Sequence, residues 1–164
     1  MASLLNTMKK LILALSLLFS PNLLAEEAIS ILWNNLAPGP AGLAVETNVN
    51  LELDGKKVII PGFMVPLDGQ KSGYTKHFLL TPQQGASVHT RPAPPNQLIH
   101  VAFDVPIKIP DLQQPMYIAG ILSVKSEQAG FAKTGYQMKG IEAIAYPVQV
   151  STSNTSHRAP TRIR

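Results

Sequence analysis

Between Lys56 and Pro66 the chain runs through Val58, Ile59, Ile60, Phe63, Met64 and Val65, a β-type run broken midway by Pro61-Gly62. Proline cannot donate to a strand ladder and glycine permits a sharp bend, so the run predicts a long strand that kinks or bulges. A strand of that kind belongs to a closed or strongly coiled sheet. Four further runs have strand character: Thr75 to Leu80, Leu98 to Phe103, Met116 to Val124 and Tyr136 to Tyr146. Gly120 and Gly140 fall inside the last two, where barrel strands bend closely. Asn50 to Leu53 is a shorter strand-like run that leads into Asp54-Gly55, a hairpin turn pair, and then into the kinked run.

Five principal strands predict a mostly β fold, a small OB-like five-stranded barrel, with a β-sandwich as the alternative. Glu26 to Leu36 places Ile29, Leu32, Trp33 and Leu36 on one helical face, and Pro38-Gly39-Pro40 stops it. This predicts a short N-terminal helix in front of the barrel, seated by Trp33. OB barrels usually carry a helix between their third and fourth strands. Here Asp104 to Pro115 contains Pro106, Pro110 and Pro115, which exclude a regular helix, so the N-terminal helix is expected to cap the barrel instead.

Residues 1–25 read as a signal peptide. Lys9-Lys10 precede the apolar run Leu11 to Phe19, and Ala25 stands before Glu26-Glu27. A membrane span needs about 20 apolar residues, and Pro21 interrupts this run. Cleavage is expected after Ala25, giving a periplasmic protein without a transmembrane span; Met8 is an alternative start. The chain has no cysteine, which excludes a lipoprotein anchor, thiolate catalysis, cysteine zinc sites and iron–sulfur clusters. Residues 26–150 form one expected OB-like domain, and 151–164 (STSNTSHRAPTRIR) an expected disordered basic tail.

The net charge of +4 belongs to the two ends. Residues 26–150 carry nine basic and ten acidic side chains. A nearly neutral domain lacks the clustered basic face that nucleic acid requires, so no nucleic-acid partner is expected.

The stretch Leu51 to Asp68 (LELDGKKVIIPGFMVPLD) resembles the signature of a family of secreted bacterial proteins, the domain of unknown function 3299. So do Phe78 to Pro82 (FLLTP), Gly85 to His89 (GASVH) and Pro94 to Gln97 (PPNQ). Trp33 to Pro38, Gln114-Pro115 and Ala119 to Leu122 extend the resemblance over about residues 30–146. The resemblance implies secretion and, from gene clusters of some members, association with an envelope transporter. It implies no activity. Family members commonly place a cysteine where this chain has Ser87, which weakens a thiolate–metal role here.

The segment Thr81 to Gln97 contains Pro82, Pro92, Pro94 and Pro95 and joins two predicted strands. Long connections of this kind are often functional, so Ser87, Arg91, Pro94, Pro95, Asn96 and Gln97 are the candidate partner or ligand loop. His77 and His100 fall out of phase with the apolar residues of their strands and are expected outside the barrel as cross-strand neighbours. With His89 from the loop they form a candidate zinc or copper site, although no tight metal-ligand spacing supports it. Histidines scattered on a surface are the competing interpretation. A hydrolase using Ser87 and His89 ranks last, because no G-x-S-x-G elbow surrounds the serine. Asp68, Asp104, Asp111 and Glu142 show no paired acid–base spacing. No catalytic residue and no resident cofactor are assigned. The expectation is a non-enzymatic periplasmic binding module accessory to a transport or envelope system.

Overall fold

β2 (Lys57–Pro66) alternates half-buried and buried residues along all ten positions, and its inner row includes Val58, Ile60 and Met64. The computed structural model describes residues 27–40, 42–85, 93–130 and 132–147. The first half of β2 pairs antiparallel with β5 (Met116–Ser123), ending at Gly62 opposite Met116. From Phe63 onward it pairs instead with β3 (Tyr74–Thr81). The partner changes at Pro61-Gly62, so the expected kink is the corner of a barrel. Gly62 is needed there for room and not for a left-handed backbone, since it is not among the positive-φ glycines. A Cβ at that position would stand 2.9 Å from both the Thr81 carbonyl oxygen and Leu80 Cγ. Gly62→Val is therefore expected to destabilise the protein by about 2 kcal/mol, a typical overpacking cost. An unchanged or raised thermal midpoint would exclude a tight corner.

The remaining strands close the barrel. β3 pairs antiparallel with β4 (Ile99–Lys108), which runs parallel to β8 (Tyr136–Ala145). β8 lies antiparallel to β5, and β5 returns to β2. The circuit β2-β3-β4-β8-β5 is the five-stranded Greek-key order of an OB barrel, and it displaces the sandwich alternative. Phe78, Ile60, Ile99, Val101, Ile118, Leu122 and Tyr136 fill its interior with no exposed surface. A small hairpin, β6 (Glu127–Ala129) and β7 (Ala132–Thr134), sits in the connection from β5 to β8.

The N-terminal segment differs from the helix expected over Glu26 to Leu36. Only Trp33–Leu36 is helical, a single turn (α1). Ahead of it, β1 (Ile29–Ser30) runs parallel to β2, and the Ile31 amide donates to the Ile59 carbonyl at 2.9 Å. Ile29 and Leu32 are exposed, whereas Ile31 and Leu36 are buried. A helix this short is marginal in isolation, and the free edge of β2 offers its backbone better-placed partners. Asn50 to Leu53 also differs: Leu51–Leu53 is a 3₁₀ turn, capped by the Asn50 side chain accepting from the Glu52 amide.

The segment does cap one end of the barrel. The Tyr136 hydroxyl donates to the Leu36 carbonyl at 2.5 Å and accepts from the Asn50 amide at 2.7 Å. Trp33 packs on the core as an anchor, with Nε1 donating to the Pro61 carbonyl at 2.6 Å. Residues 1–26, 86–92 and 148–164 lie outside the described residues. The expected signal peptide, its cleavage point and the tail fall there, as do Ser87, His89 and Arg91.

Candidate functional site

At the other end the barrel is open among the described residues. The connection from β4 to β5 makes a tight turn, with the Gln114 amide donating to the Asp111 carbonyl, and supplies no helix. Its prolines had excluded one. What remains is a groove whose walls are the last halves of β4 and β8.

Three local features open it. The β4–β8 ladder runs from Ile99 opposite Tyr136 to Ala102 opposite Lys139 and stops there. Next on β4 stands Phe103, whose ring lies where a side chain at position 140 would be, so only glycine fits there. Pro106 then removes a backbone donor from β4. Finally β8 bulges: Ala119 faces Glu142 while Gly120 faces Gly140, leaving Ile141 without an opposite residue. A bulge shifts which residues face inward. Before it, Tyr136, Met138 and Gly140 are the buried set. After it, Ile141, Ala143 and Ala145 line the groove.

Phe103, Val105 and Ile107 of β4 face them, with Met116 alongside. This open groove has a volume of about 710 Å³, within the range of small-molecule sites. Its lining is mainly apolar, and Val105 and Ile141 are 71% and 52% exposed. Lys108, Asp111 and Glu142 put both signs of charge on the lining. Gln114 is committed within the fold, its side-chain amide donating to the Pro115 and Tyr146 carbonyls at 2.9 Å each. An exposed Lys139–Asp104 ion pair of 3.3 Å joins the strands where the ladder ends.

The histidines are placed as the period-two pattern required. His77 and His100 lie on the outer face of adjacent strands, ring centroids 5.6 Å apart and tilted by 35°. Asp68 shapes this corner. Its carboxylate accepts from the Thr75 hydroxyl and from the Lys76 and His77 amides, where β3 shifts register against β4. The Thr75 hydroxyl holds the Asp68 carboxyl below its usual range; slight burial opposes this, and the two amides add to it. His100 Nδ1 meets Glu127 Oε2 at 3.1 Å, tying β4 to the small hairpin. A carboxylate on one imidazole nitrogen is the outer support that a metal-bound histidine uses, leaving Nε2 as the ligating atom. Among the described residues, however, no group of three or more His, Cys, Asp and Glu is placed to hold a metal. His89 lies outside them, which leaves His77 and His100 as a pair of adjacent imidazoles.

The polar groups of the proline-rich loop that are described serve the fold. Pro95–Gln97 is a 3₁₀ turn following Pro94. Buried Asn96 donates to the Asn48 carbonyl at 3.0 Å, and Gln97 donates to the Trp33 carbonyl at 3.1 Å. These bonds bind the loop to the N-terminal cap.

Fold and groove together define a small OB-type barrel, closed at one end by its own N-terminal segment and open at the other. The chain belongs to the DUF3299 family of proteins of unknown function, whose family model matches residues 34–145. A crystal structure of a DUF3299 family protein from Pseudomonas aeruginosa PAO1 is similar at 26% identity and TM-score 0.64, covering 75% of this chain and 99% of that one. An OBody bound to hen egg-white lysozyme matches at 14% identity and TM-score 0.35, over 65% of this chain and 96% of that one. No curated protein matches the chain. No described helix is long and apolar enough to cross a membrane.

Proposed function

We propose that the protein is a periplasmic binding module, accessory to a transport or envelope system, whose contact surface is the groove between β4 and β8. The observation that carries this reading is the mainly apolar groove of about 710 Å³ that the described residues leave between β4 and β8. Exposed Val105 and Ile141 contribute little to the core and much to that surface. Secretion rests on the sequence of residues 1–25.

Protein recovered from the periplasm is expected to begin at Glu26 by intact mass and to bind an apolar naphthalenesulfonate dye at one site. Val105→Arg and Ile141→Arg should each weaken that binding about ten-fold or more, equivalent to at least about 1.4 kcal/mol. Stability should move by only about 0.5 kcal/mol, as at other exposed positions. Dye binding indifferent to both substitutions would withdraw the groove. A cell-retained chain with residues 1–25 intact would withdraw secretion.

A second reading rests on the adjacent rings of His77 and His100. It is a zinc or copper site on the outer face, completed by His89. Three imidazoles with an open fourth position suit these ions. Under this reading His77→Ala, His89→Ala and His100→Ala each weaken Zn²⁺ or Cu²⁺ binding by a similar factor in calorimetric titration, and His157→Ala does not. Binding that ignores His77 and His100 would leave them as surface histidines.

A further inference from the structure

The groove is walled by unpaired backbone as well as by side chains. Beyond Lys139, β8 keeps its pairing with β5 through Ala145, but its pairing with β4 has ended. Across the gap, β4 regains register with β3 only at Ile107 and Lys108. Among the described residues, no strand lies between the two facing edges. Alternate peptide groups of Ile141 to Ala145 therefore point into the groove with no ladder partner among the described residues.

Side chains set the same period. The apolar side chains Ile141, Ala143 and Ala145 recur at every second residue on one wall and Phe103, Val105 and Ile107 on the other, with Glu142, Pro106 and Lys108 also on the lining. An occupant that uses both features needs apolar groups at a period of two and its own free N–H and C=O groups. A lipid tail or an aromatic compound brings no backbone groups. A helix spends its own internally. Extended polypeptide has both. Between the two edges β8 is the better template, because Pro106 deprives β4 of a donor whereas residues 141–145 contain no proline. Lys108, Asp111 and Glu142 bring both signs of charge, so neither a polyanion nor a polycation is selected.

We propose that the groove takes an extended segment of a partner polypeptide, apolar at alternate positions, added as a strand along the edge of β8 from Ile141 to Ala145. This rests on the binding-module reading of the same groove and names its ligand class.

The test uses the full mature chain, isotope-labelled, titrated to millimolar concentration with a lysine-flanked peptide of alternating valine and threonine. Saturable amide shifts and slowed hydrogen exchange are expected at Ile141 to Ala145. N-methylation of alternate peptide amides, which removes backbone donors and keeps the side chains, should weaken binding about ten-fold or more. Ile141→Arg should do the same. If the N-methylated peptide binds as well as its parent, or if the dye binds and the peptide does not, strand addition is overturned and the binding module stands. If neither dye nor peptide binds, both fall. If deleting residues 148–164 raises peptide affinity about ten-fold, the occupant is this chain's own C-terminal segment, and the partner is overturned.

Discussion

Tyr136→Phe will destabilise the protein by about 3 kcal/mol, because it orphans two backbone groups in one step. The tyrosine is fully buried, and its hydroxyl is the only part that phenylalanine lacks. That hydroxyl donates to the Leu36 carbonyl and accepts from the Asn50 amide, joining β8 to two separate points of the N-terminal segment. Each unsatisfied buried group costs about 1–3 kcal/mol, while the ring's packing is preserved. Urea unfolding of the two proteins measures the difference. A loss below about 1 kcal/mol would mean that water replaces the hydroxyl and that the cap is held by Trp33 and Leu36 alone. The same residue governs the alkaline limit. Burial raises the Tyr136 pKa, against a smaller opposing effect of the Asn50 amide. The folded protein thus holds the phenolic proton more tightly than the unfolded chain. Its contribution is complete below about pH 10 and is lost as pH rises through the folded value. Tyr136→Phe should lack that part of the alkaline decline.

Strand positions were legible because a half-buried strand writes its burial into alternate residues, and β2 obeys this over its whole length. The helix expected over Glu26 to Leu36 shrinks to Trp33–Leu36, since i, i+3, i+4, i+7 spacing in so few residues carries little free energy. The unpaired edge of β2 took Ile29 and Ser30 instead. Asp54-Gly55 was correctly a turn, with Gly55 at φ 72°, but the strand expected before it loses to the Asn50 side-chain cap. His77 and His100 were placed correctly by phase alone. Their neighbour Glu127 was not foreseeable, because it arrives on a hairpin strand of three residues that packs from outside the barrel. The groove also leaves a signal in the sequence. Apolar residues of β8 keep even numbers at Tyr136 and Met138 and then slip to Ile141 and Ala143, which is how a bulge appears in sequence. Gly140 marks a bend in the sequence, and the bulge beside it changes the face of the later side chains.

Gly140→Val is the substitution that tests this slip, and it is expected to cost about 3 kcal/mol, the upper part of the overpacking range. The new side chain would occupy the place of the Phe103 ring, the residue at which β4 parts from β8. Rotating the ring away sends it into the groove, so dye binding should fall together with stability. Phe103→Ala alone also destabilises, by about 3–5 kcal/mol for a buried aromatic. In the double variant the valine fills part of the space that the ring vacates. The combined loss should therefore fall short of the sum of the single losses by about 2 kcal/mol, as for residues in direct contact. Gly120→Val supplies the control. Gly120 faces Gly140 across the β5–β8 ladder, but a Cβ there meets the Lys139 carbonyl oxygen at 2.5 Å. Backbone cannot be trimmed away, so Phe103→Ala should give Gly120→Val no rescue. Equal rescue of both would mean that the ring merely loosens the barrel as a whole. Rescue of Gly140→Val alone ties the opening of the groove to the contact between one aromatic ring and one missing side chain.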